Sequence, residues 1–438
     1  MTEFFPDIKK IPYEGPATRN PLAFRHYDPD EVVFGKPLSD HLRFSMHFGR
    51  TFRGAGRDVS GPAAIARPWE EPGDSLKDGE NRLRAAFEFM KKMGIRHYSF
   101  HDLDLCPEND SPAKAAENIN RMVKIAKELQ EESGINLLWG SADLGSHPHY
   151  LNGACTSPDA RVFAFAAAQV KRAMDITCEL GGENYLFGAG REGYQTLLNT
   201  DLRRELDHMA NFLKMAADYR QELGFPGTLL IEPKPKGPCK HLYNFDVATV
   251  MGFLTHYGLN QEYKLNIECN HAILAGHDFE HDLDLAARYG MLGSIDANAG
   301  DPLLGWDTDQ FNVSLRRAAQ AMWIVLDNGG LESGGLNFDA GVRSESPDLE
   351  DMFIAHISSM DVYARGLKTA ARIIEEGIFS DFQNRRYSSY DTDIGAKIEA
   401  GTTNFSELSE WILKEGEPGQ VSGKQEKLES LLNYYLEN

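Results

Sequence analysis

Eight short β-rich apolar runs alternate with longer segments of helical periodicity, and this alternation constrains the fold of the chain more than any other feature. Between most runs the apolar residues recur with the 3.6-residue period of an amphipathic helix; within residues 80–93, Leu83 and Phe87 share one face. Alternating strands and helices predict parallel strands, and eight repeats predict closure into an α/β fold, a (β/α)8 TIM barrel. The runs are residues 41–48, 98–102, 136–141, 185–188, 228–232, 265–269, 293–297 and 335–339.

An open, doubly wound sheet is the alternative to a closed barrel. Such a sheet normally carries a glycine-rich, phosphate-binding turn after its first strand. Neither GxGxxG nor GxxxxGK followed by Ser or Thr comes after any of the runs. The closed barrel is therefore the favoured interpretation.

The strand signal stops after Asp339, and only helical periodicity follows, with a break at residues 377–380. A tail this thin cannot form a core of its own, so its apolar stripes must pack on the barrel or on a second subunit. We expect three parts: an N-terminal arm at 1–40, the barrel at 41–345 and a helical C-terminal oligomerisation tail at 346–438.

Charge and composition exclude several classes of protein. The 438 residues include 66 Asp and Glu against 45 Lys and Arg, a formal net charge of −21. Because such a surface repels a phosphate backbone or an anionic membrane, we expect neither nucleic acid nor membrane as a partner. The five cysteines form no CxxC pair, which argues against a disulfide framework or a thiolate zinc site. No segment has the pattern of a signal peptide or a membrane span, so the expected location is the cytoplasm.

Acidic side chains end each of the last four runs, and two more lie in the loop after the seventh, at the end of a barrel where functional residues collect. Six carboxylates at one mouth repel one another; two divalent cations reduce their charge from −6 to −2, and Lys234 leaves −1. Carboxylate oxygens together with one imidazole, from His271, suit Mg²⁺, Mn²⁺ or Co²⁺. Glu268, three residues before His271, is the natural ligand to bridge two cations. The six are Glu232, Glu268, Asp296, Asp307, Asp309 and Asp339.

Other interpretations stay open for single residues. A lone carboxylate at a strand end can cap the next helix, and Asp307 alone can be a turn residue. His277 and His281 have the four-residue spacing of a metal site but no third partner in the sequence, so we interpret them as helix surface. His101 and Asp104 end the second run and bring an imidazole and a carboxylate to the same mouth.

Several longer segments carry a family resemblance. IEPKP, IECNHAILAGH, GWDTDQF and GGLNFDA resemble the signature segments of the xylose isomerases, in particular their longer-chain class, and the resemblance extends from about residue 10 to the C-terminus. It implies an aldose–ketose isomerase that moves a hydride between C1 and C2 of an open-chain sugar, such as D-xylose to D-xylulose. It also implies two divalent cations per subunit, with Mg²⁺ as the first choice, and a homotetramer.

The same resemblance assigns roles residue by residue. His101, oriented by Asp104, is expected to assist opening of the sugar ring, and Lys234 to hydrogen-bond the carbonyl end of the open chain. Trp139 is expected to pack beside the substrate, and Phe24 to reach into a neighbouring subunit's pocket. One cation is expected on Glu232, Glu268, Asp296 and Asp339, and the other on Glu268, His271, Asp307 and Asp309.

The wall of the sugar pocket departs from the family pattern. Gly49, Gly54 and Gly188 stand where the family carries tryptophans, and Arg50 follows the first of them. Each lost indole removes about 150–250 Å² of wall. The departures therefore predict an enlarged pocket, unless a neighbouring side chain such as Arg50 refills it.

The departures from the family pattern leave alternative functions open. The chain could be a member of the family retuned for a larger or substituted sugar, with Arg50 meeting a charged group. It could also be a metal-binding barrel that has lost catalysis, against which the intact His101, Asp104 and Lys234 argue. A metal-dependent nuclease or phosphatase is opposed by the net charge and by the lack of a basic patch.

Overall fold

A computed structural model describes residues 3–57, 61–70, 76–106, 112–188, 190–237 and 239–438. Eight parallel strands, numbered β1 to β8 in chain order, close into a barrel in which each strand pairs with the next and β8 pairs with β1. The predicted TIM barrel is confirmed. The strands are Ser45–His47, His97–His101, Asn136–Ser141, Asn184–Phe187, Thr228–Ile231, Tyr263–Glu268, Leu292–Asp296 and Leu336–Phe338.

The first predicted run, 41–48, was too long. Its beginning lies in the helix Leu38–Leu42, and β1 starts only at Ser45. The helix ends because Arg43 adopts a left-handed conformation with φ 40°. The Arg43 Nε donates a hydrogen bond to the carbonyl of Gly334 at 2.6 Å, which holds this turn against the entry to β8.

Helices cover the outside of the barrel, and their ends follow ordinary capping rules. The Asp201 side chain accepts a hydrogen bond from the backbone N–H of Arg204, and Gly224, with φ 65°, ends the same helix. The helices are Leu38–Leu42, Leu76–Met93, Asp102–Leu105, Pro112–Ser133, Ala160–Glu179, Leu202–Leu223, Val247–His256, Cys269–Ala275, Phe279–Arg288, Leu315–Asp327, Leu349–Glu376, Ile378–Tyr387, Asp393–Glu399, Phe405–Glu415 and Gln425–Glu437.

The C-terminal extension is helical, as predicted, but its first break is a kink rather than a gap. Gly377 has φ 66°, and the helix Ile378–Tyr387 starts at the next residue. Further on, Leu432 and Tyr435 pack on Ile373 and fix the last helix to the long helix Leu349–Glu376.

The helix Phe405–Glu415 has no buried residue. The side chains of Phe405 and Leu413 are 93% and 82% exposed in the single chain. The apolar stripe predicted for this part of the tail therefore stays uncovered within one chain. Every helix in the described part of the molecule is too short or too polar to span a lipid bilayer.

The N-terminal arm is fixed to its own subunit. The carboxylate of Asp361 accepts hydrogen bonds from the backbone N–H groups of Arg25, His26 and Tyr27 at 2.8–2.9 Å. Phe24, directly before them, is buried edge-to-face against Tyr27 with ring centroids 5.2 Å apart. The expectation that Phe24 reaches into a neighbouring subunit does not match this placement, because the anchored backbone turns the ring into its own core.

Candidate functional site

The C-terminal ends of β5, β6, β7 and β8 bring the predicted ligands to one mouth of the barrel. Because the strands are parallel and in register, Glu268 lies beside Asp296, and Asp296 beside Asn337. Two groups of side chains each offer ligand atoms within 4.8 Å of one another, and Glu268 belongs to both. The first group is Glu232, Glu268 and Asp296, and the second is Glu268, His271, Asp307 and Asp309.

The buried carboxylate of Glu268 fits a divalent cation. The residue is 1% exposed, and neither carboxylate oxygen has a hydrogen-bond partner among the described residues. Its nearest cationic neighbour is the Nδ1 of His271, at 3.1 Å. Burial, followed by the charges of Asp309 and Asp307, raises the pKa of Glu268 well above its ordinary value. A buried carboxylate with free lone pairs is costly alone, and this set of oxygens with one imidazole suits a hard divalent ion.

The loop after β7 carries the second pair of carboxylates. A short antiparallel pair, Asn298–Ala299 with Gln310–Phe311, closes this loop and folds it back over the mouth. Asp309 has φ 39°, a left-handed conformation that a side chain other than glycine adopts only at a cost. Burial raises the pKa of Asp309 to about 6, against the opposing attraction of Arg50.

An asparagine layer orients the carboxylates, and the sequence analysis missed it. Asn266 and Asn337 donate hydrogen bonds to Asp296 at 2.9 and 2.8 Å. Asn270 donates to Asp307 at 2.5 Å and to Asp309 at 3.0 Å. Such neighbours hold ligands in the orientation that a cation needs. The signal was present, because Asn266 and Asn337 each lie two residues before a predicted ligand and so share its face of the strand.

Lys234 lies within the same cluster of charges. Its Nζ donates a hydrogen bond to Asp307 Oδ2 at 2.6 Å, while the Nε2 of His271 lies 3.5 Å from the same oxygen. Burial opposes ionisation of Asp307, but His271 and Lys234 outweigh it and lower the pKa of that carboxyl. Burial and the charge of Lys234 likewise disfavour the charged His271, yet the nearby carboxylates of Asp307 and Glu232 raise the pKa of its imidazole to about 9.

His101 and Asp104 form the predicted pair at the end of β2. The Asp104 carboxylate accepts a hydrogen bond from the backbone N–H of His101 at 2.9 Å and lies 3.6 Å from its Nδ1. Burial alone lowers the pKa of His101, but Asp104 outweighs it and raises that pKa to about 9. At neutral pH the imidazole is therefore protonated and held in one orientation.

An aromatic wall lies behind His101. Trp139 is buried, and its indole packs edge-to-face against His47 and His101 with ring centroids 5.4 and 5.6 Å away. His47 was not identified from the sequence; its Nε2 lies 3.8 Å from Asp339. Its position as the last residue of β1, the first strand of the barrel, was the available signal.

The three glycines at which the family resemblance led us to expect missing tryptophans do not leave open space. A Cβ added at Gly49 lies 2.4 Å from an Asp104 oxygen, and one at Gly188 lies 2.6 Å from Glu232 Oε2. A Cβ at Gly54 lies 2.3 Å from the carbonyl oxygen of Arg50, so the backbone itself requires glycine there. The expectation of an enlarged pocket is corrected: carboxylates of the site fill the space beside Gly49 and Gly188.

A cavity of about 60 Å³ does lie beside Gly188, on the side of β4 that faces the helices. Its lining is mostly apolar and includes Tyr185, Val170 and Phe212. A sugar pocket normally has several hundred Å³, so this cavity is too small to hold one.

Arg50 lies across the mouth and contacts both ends of the cluster. It belongs to a five-residue π-helical turn, Gly49–Arg53, directly after β1. Its Nε donates a hydrogen bond to Asp339 Oδ1 at 2.8 Å, and its Nη2 pairs with Asp309 Oδ2. Burial opposes ionisation of Asp339, but Arg50 and then His47 lower the pKa of its carboxyl to about 2. Asp339 is the predicted ligand that falls outside the first group.

The histidine pair interpreted as helix surface has the partners that the sequence did not reveal. His277 Nε2 lies 3.3 Å from Asp246, and its Nδ1 lies 3.8 Å from Asp282. His281 stacks parallel to His277, with ring centroids 5.1 Å apart. Because one nitrogen of His277 faces Asp246 and the other faces Asp282, its imidazole links the first turns of the helices Val247–His256 and Phe279–Arg288.

Comparison with known proteins agrees with the geometry. The profile of the XylA2 C-terminal domain matches residues 383–436. The chain is 51% identical over 434 residues to a xylose isomerase of Caldanaerobacter subterraneus subsp. yonseiensis, covering 99% of both chains. It is 50% identical over 434 residues to that of Hordeum vulgare, covering 99% of this chain and 91% of the relative. The xylose isomerase of Thermotoga maritima is 51% identical over 436 residues, covering 100% of this chain and 98% of the relative.

A solved structure supports the fold alone. D-Psicose 3-epimerase from Clostridium cellulolyticum H10, determined with D-tagatose, aligns with a TM-score of 0.52 at 12% identity. The alignment covers 74% of this chain and 99% of that one. The barrel is thus shared with a distant protein, whereas half of the residues are shared along the full length with xylose isomerases. By this full-length identity, the chain belongs to the xylose isomerase family.

Proposed function

We propose that this chain is an aldose–ketose isomerase that moves a hydride between C1 and C2 of an open-chain sugar, with D-xylose as the first substrate to test. One observation carries the proposal: Glu268 joins two groups of ligands at the mouth that also holds the His101–Asp104 pair. Full-length identity of about half to xylose isomerases supports the same reaction.

The proposed cofactors are two divalent cations, with Mg²⁺ first and Mn²⁺ or Co²⁺ as alternatives. When bound, such ions polarise the sugar carbonyl and lower the pKa of the adjacent hydroxyl, so that the hydride shift needs no strong protein base. The unpartnered oxygens of Glu268 and the asparagine-held carboxylates around it support this assignment. The ligands would be Glu232, Glu268, Asp296 and Asp339 for one ion, and Glu268, His271, Asp307 and Asp309 for the other.

The chain's own side chains perform the remaining tasks. His101, protonated at neutral pH because of Asp104, is placed to donate its proton to the sugar ring oxygen as the ring opens. Lys234 is proposed to give up its hydrogen bond to Asp307 and to donate one to the carbonyl oxygen of the substrate instead. Trp139 supplies a dry wall beside His101, and water must be kept from the reacting carbons.

The two alternatives are not favoured. A larger or substituted sugar was suggested by the missing tryptophans, but Asp104 and Glu232 occupy the space beside two of those glycines. A barrel without catalysis has no need of a partly buried imidazole–carboxylate pair, and His101 and Asp104 form one.

The test is a panel of aldoses and ketoses, each assayed with Mg²⁺, Mn²⁺ and Co²⁺ and analysed by chromatography of the products. We expect ketose formation from at least one aldose, D-xylose first. His101→Gln should lower kcat/KM by about 100-fold or more, the usual contribution of a general acid. His208→Gln, on the outer helix Leu202–Leu223, is the matched control and should behave as wild type. Failure of the cation-loaded protein to isomerise any sugar of the panel would refute the proposal.

The homotetramer, the three-part division of the chain and the cytoplasmic location stay predictions. The exposed apolar residues of the helix Phe405–Glu415 support a surface between copies of the chain. Light scattering tests the first of these predictions, with an expected mass about four times 49.0 kDa.

A further inference from the structure

Arg50 joins the two predicted cation sites. Its guanidinium contacts Asp339, a predicted ligand of one site, and Asp309, a predicted ligand of the other. Both carboxylates are nearly buried, whereas the Arg50 side chain is 43% exposed and reaches them from the solvent side. An arginine keeps its charge at all accessible pH values, so these contacts persist across the working range.

The contacts change how the ligands are grouped. Glu232, Glu268 and Asp296 offer atoms within 4.8 Å of one another, and Asp339 does not join them. Instead Asp339 Oδ1 accepts the hydrogen bond from Arg50 Nε. The oxygen that accepts this hydrogen bond has fewer lone pairs left for a cation, and the charge of a guanidinium at this distance repels one.

The repulsion among the carboxylates explains why Arg50 contacts both Asp309 and Asp339. Six carboxylates share the mouth, and Glu268 among them is buried without a hydrogen bond from any described residue. Like charges at separations of about 4–5 Å repel one another appreciably even at an effective dielectric constant of about 20. Among the described residues, the positive charges of Arg50 and Lys234 offset part of this repulsion, because each pairs with carboxylates of the cluster.

We propose that Arg50 is an internal competitor for the divalent cations: its guanidinium neutralises Asp309 and Asp339, and cation binding must displace it. The inference rests on the proposed function only in that the cation sites are those of the isomerase. Because each cation then has to replace an existing ion pair, Arg50 weakens cation affinity and stabilises the cation-free protein. The exposed side of the arginine gives it a route to solvent when it is displaced.

The experiment compares three proteins: wild type, Arg50→Gln and Arg343→Gln. Arg343 is the matched control because it is an exposed arginine near the same mouth that donates to Gln310 at 3.1 Å. Each protein is stripped with EDTA, desalted and titrated with Mn²⁺ by calorimetry, and its melting temperature is measured with and without the cation.

We expect Arg50→Gln to bind Mn²⁺ at least tenfold more tightly than wild type at one or both sites, and Arg343→Gln to bind as wild type does. Stripped Arg50→Gln should also melt at a lower temperature than the stripped wild type, whereas the loaded forms should melt alike. Arg50→Lys, which keeps the charge but loses the two-pronged contact, should give an intermediate affinity and serves if Arg50→Gln does not fold.

The outcomes separate this inference from the proposed function. An affinity of Arg50→Gln within twofold of wild type overturns the inference, and so does an equal gain in Arg343→Gln, which would reflect net charge alone. If either result accompanies a wild type that binds Mn²⁺ and isomerises a sugar, the proposed function stands. If neither wild type nor variants bind Mn²⁺, the cation sites themselves fall, and both proposals fail together.

Discussion

Replacing Gly49 by alanine should disturb the His101–Asp104 pair without touching either residue. A Cβ at position 49 lies 2.4 and 2.5 Å from the two oxygens of Asp104 and 2.6 Å from its Cγ. Ordinary contacts begin near 3.4 Å, so the carboxylate must retreat by about 1 Å. That movement lengthens its hydrogen bond to the His101 backbone N–H, now 2.9 Å, and its 3.6 Å approach to the imidazole.

The magnitude follows from the pKa of His101. That pKa is about 9 in the fold against an ordinary 6.5, a difference of 2.5 units, with Asp104 as the largest favourable cause. At about 1.4 kcal/mol per unit, the raised pKa corresponds to about 3.5 kcal/mol, which is what the charged neighbours contribute after the opposing effect of burial is subtracted. Because the folded pKa is raised, this stability is fully present below pH 6.5 and is lost as the pH rises through 9. Gly49→Ala should therefore lose stability mainly at low and neutral pH, and lower the pKa of His101 by one unit or more.

The assay is a histidine NMR titration of EDTA-treated protein, together with urea unfolding at pH 6 and pH 9.5. Gly252→Ala is the matched control, because Gly252 is an exposed helical residue where a Cβ meets nothing within 4 Å. The control should gain about 0.5–1 kcal/mol at both pH values, as glycine in a helix does when it is replaced by alanine. A His101 pKa that stays within half a unit of wild type in Gly49→Ala would refute the reasoning.

Three further predictions follow from the site and the core. EDTA should lower the melting temperature and abolish activity, and Mg²⁺ or Co²⁺ should restore both. At a concentration of 100 times its Kd, each ion stabilises the fold by about 3 kcal/mol. A melting curve that is unchanged after the removal of the metal has been verified would contradict this prediction. Glu268→Gln should reduce occupancy of both cations and Asp309→Asn chiefly of one, so full occupancy of both sites in Glu268→Gln, by metal mass spectrometry, argues against the shared ligand. Burial lowers the pKa of His356 to about 4, so the neutral imidazole is favoured in the folded protein. As the pH falls from 6.5 towards 4, the unfolded chain binds this proton first, and the free energy of unfolding should fall by up to about 3 kcal/mol. His356→Phe, within a cluster of phenylalanines, should flatten this acid dependence of urea unfolding, and an equally steep dependence in the variant would count against it.

The barrel could be predicted because each strand is short, apolar and followed by its own helix. The error at β1 arose where a left-handed Arg43 separates a helix from the strand, since the sequence shows both pieces as one apolar run. The predicted end of the long helix at Gly377 is correct, but the helix that begins at Ile378 was missed, because a left-handed glycine ends one helix and also permits a new one to start at once.

The cluster of acidic side chains could be predicted from charge and position, since acidic residues at strand ends must share one mouth. The side chains that occupy the space beside Gly49 and Gly188 could not be predicted. The sequence shows that an indole is absent at Gly49, but not that the carboxylate of Asp104 occupies the space. The placement of Phe24 depended on Asp361, which lies 337 positions further along the chain, and no local pattern reports such a contact.

The exposed helix Phe405–Glu415 also bears on how a newly made chain reaches its finished state. Docking of the last helix through Leu432 and Tyr435 uses contacts within one chain, so its rate does not depend on concentration. The proposed covering of Phe405 and Leu413 by a second copy of the chain would be a bimolecular step, which slows on dilution. Until it happens, the apolar face is open to any other apolar surface, including an incomplete copy of the same chain. The fraction of chains lost to aggregates should therefore depend on how fast they are made relative to how fast this helix is covered.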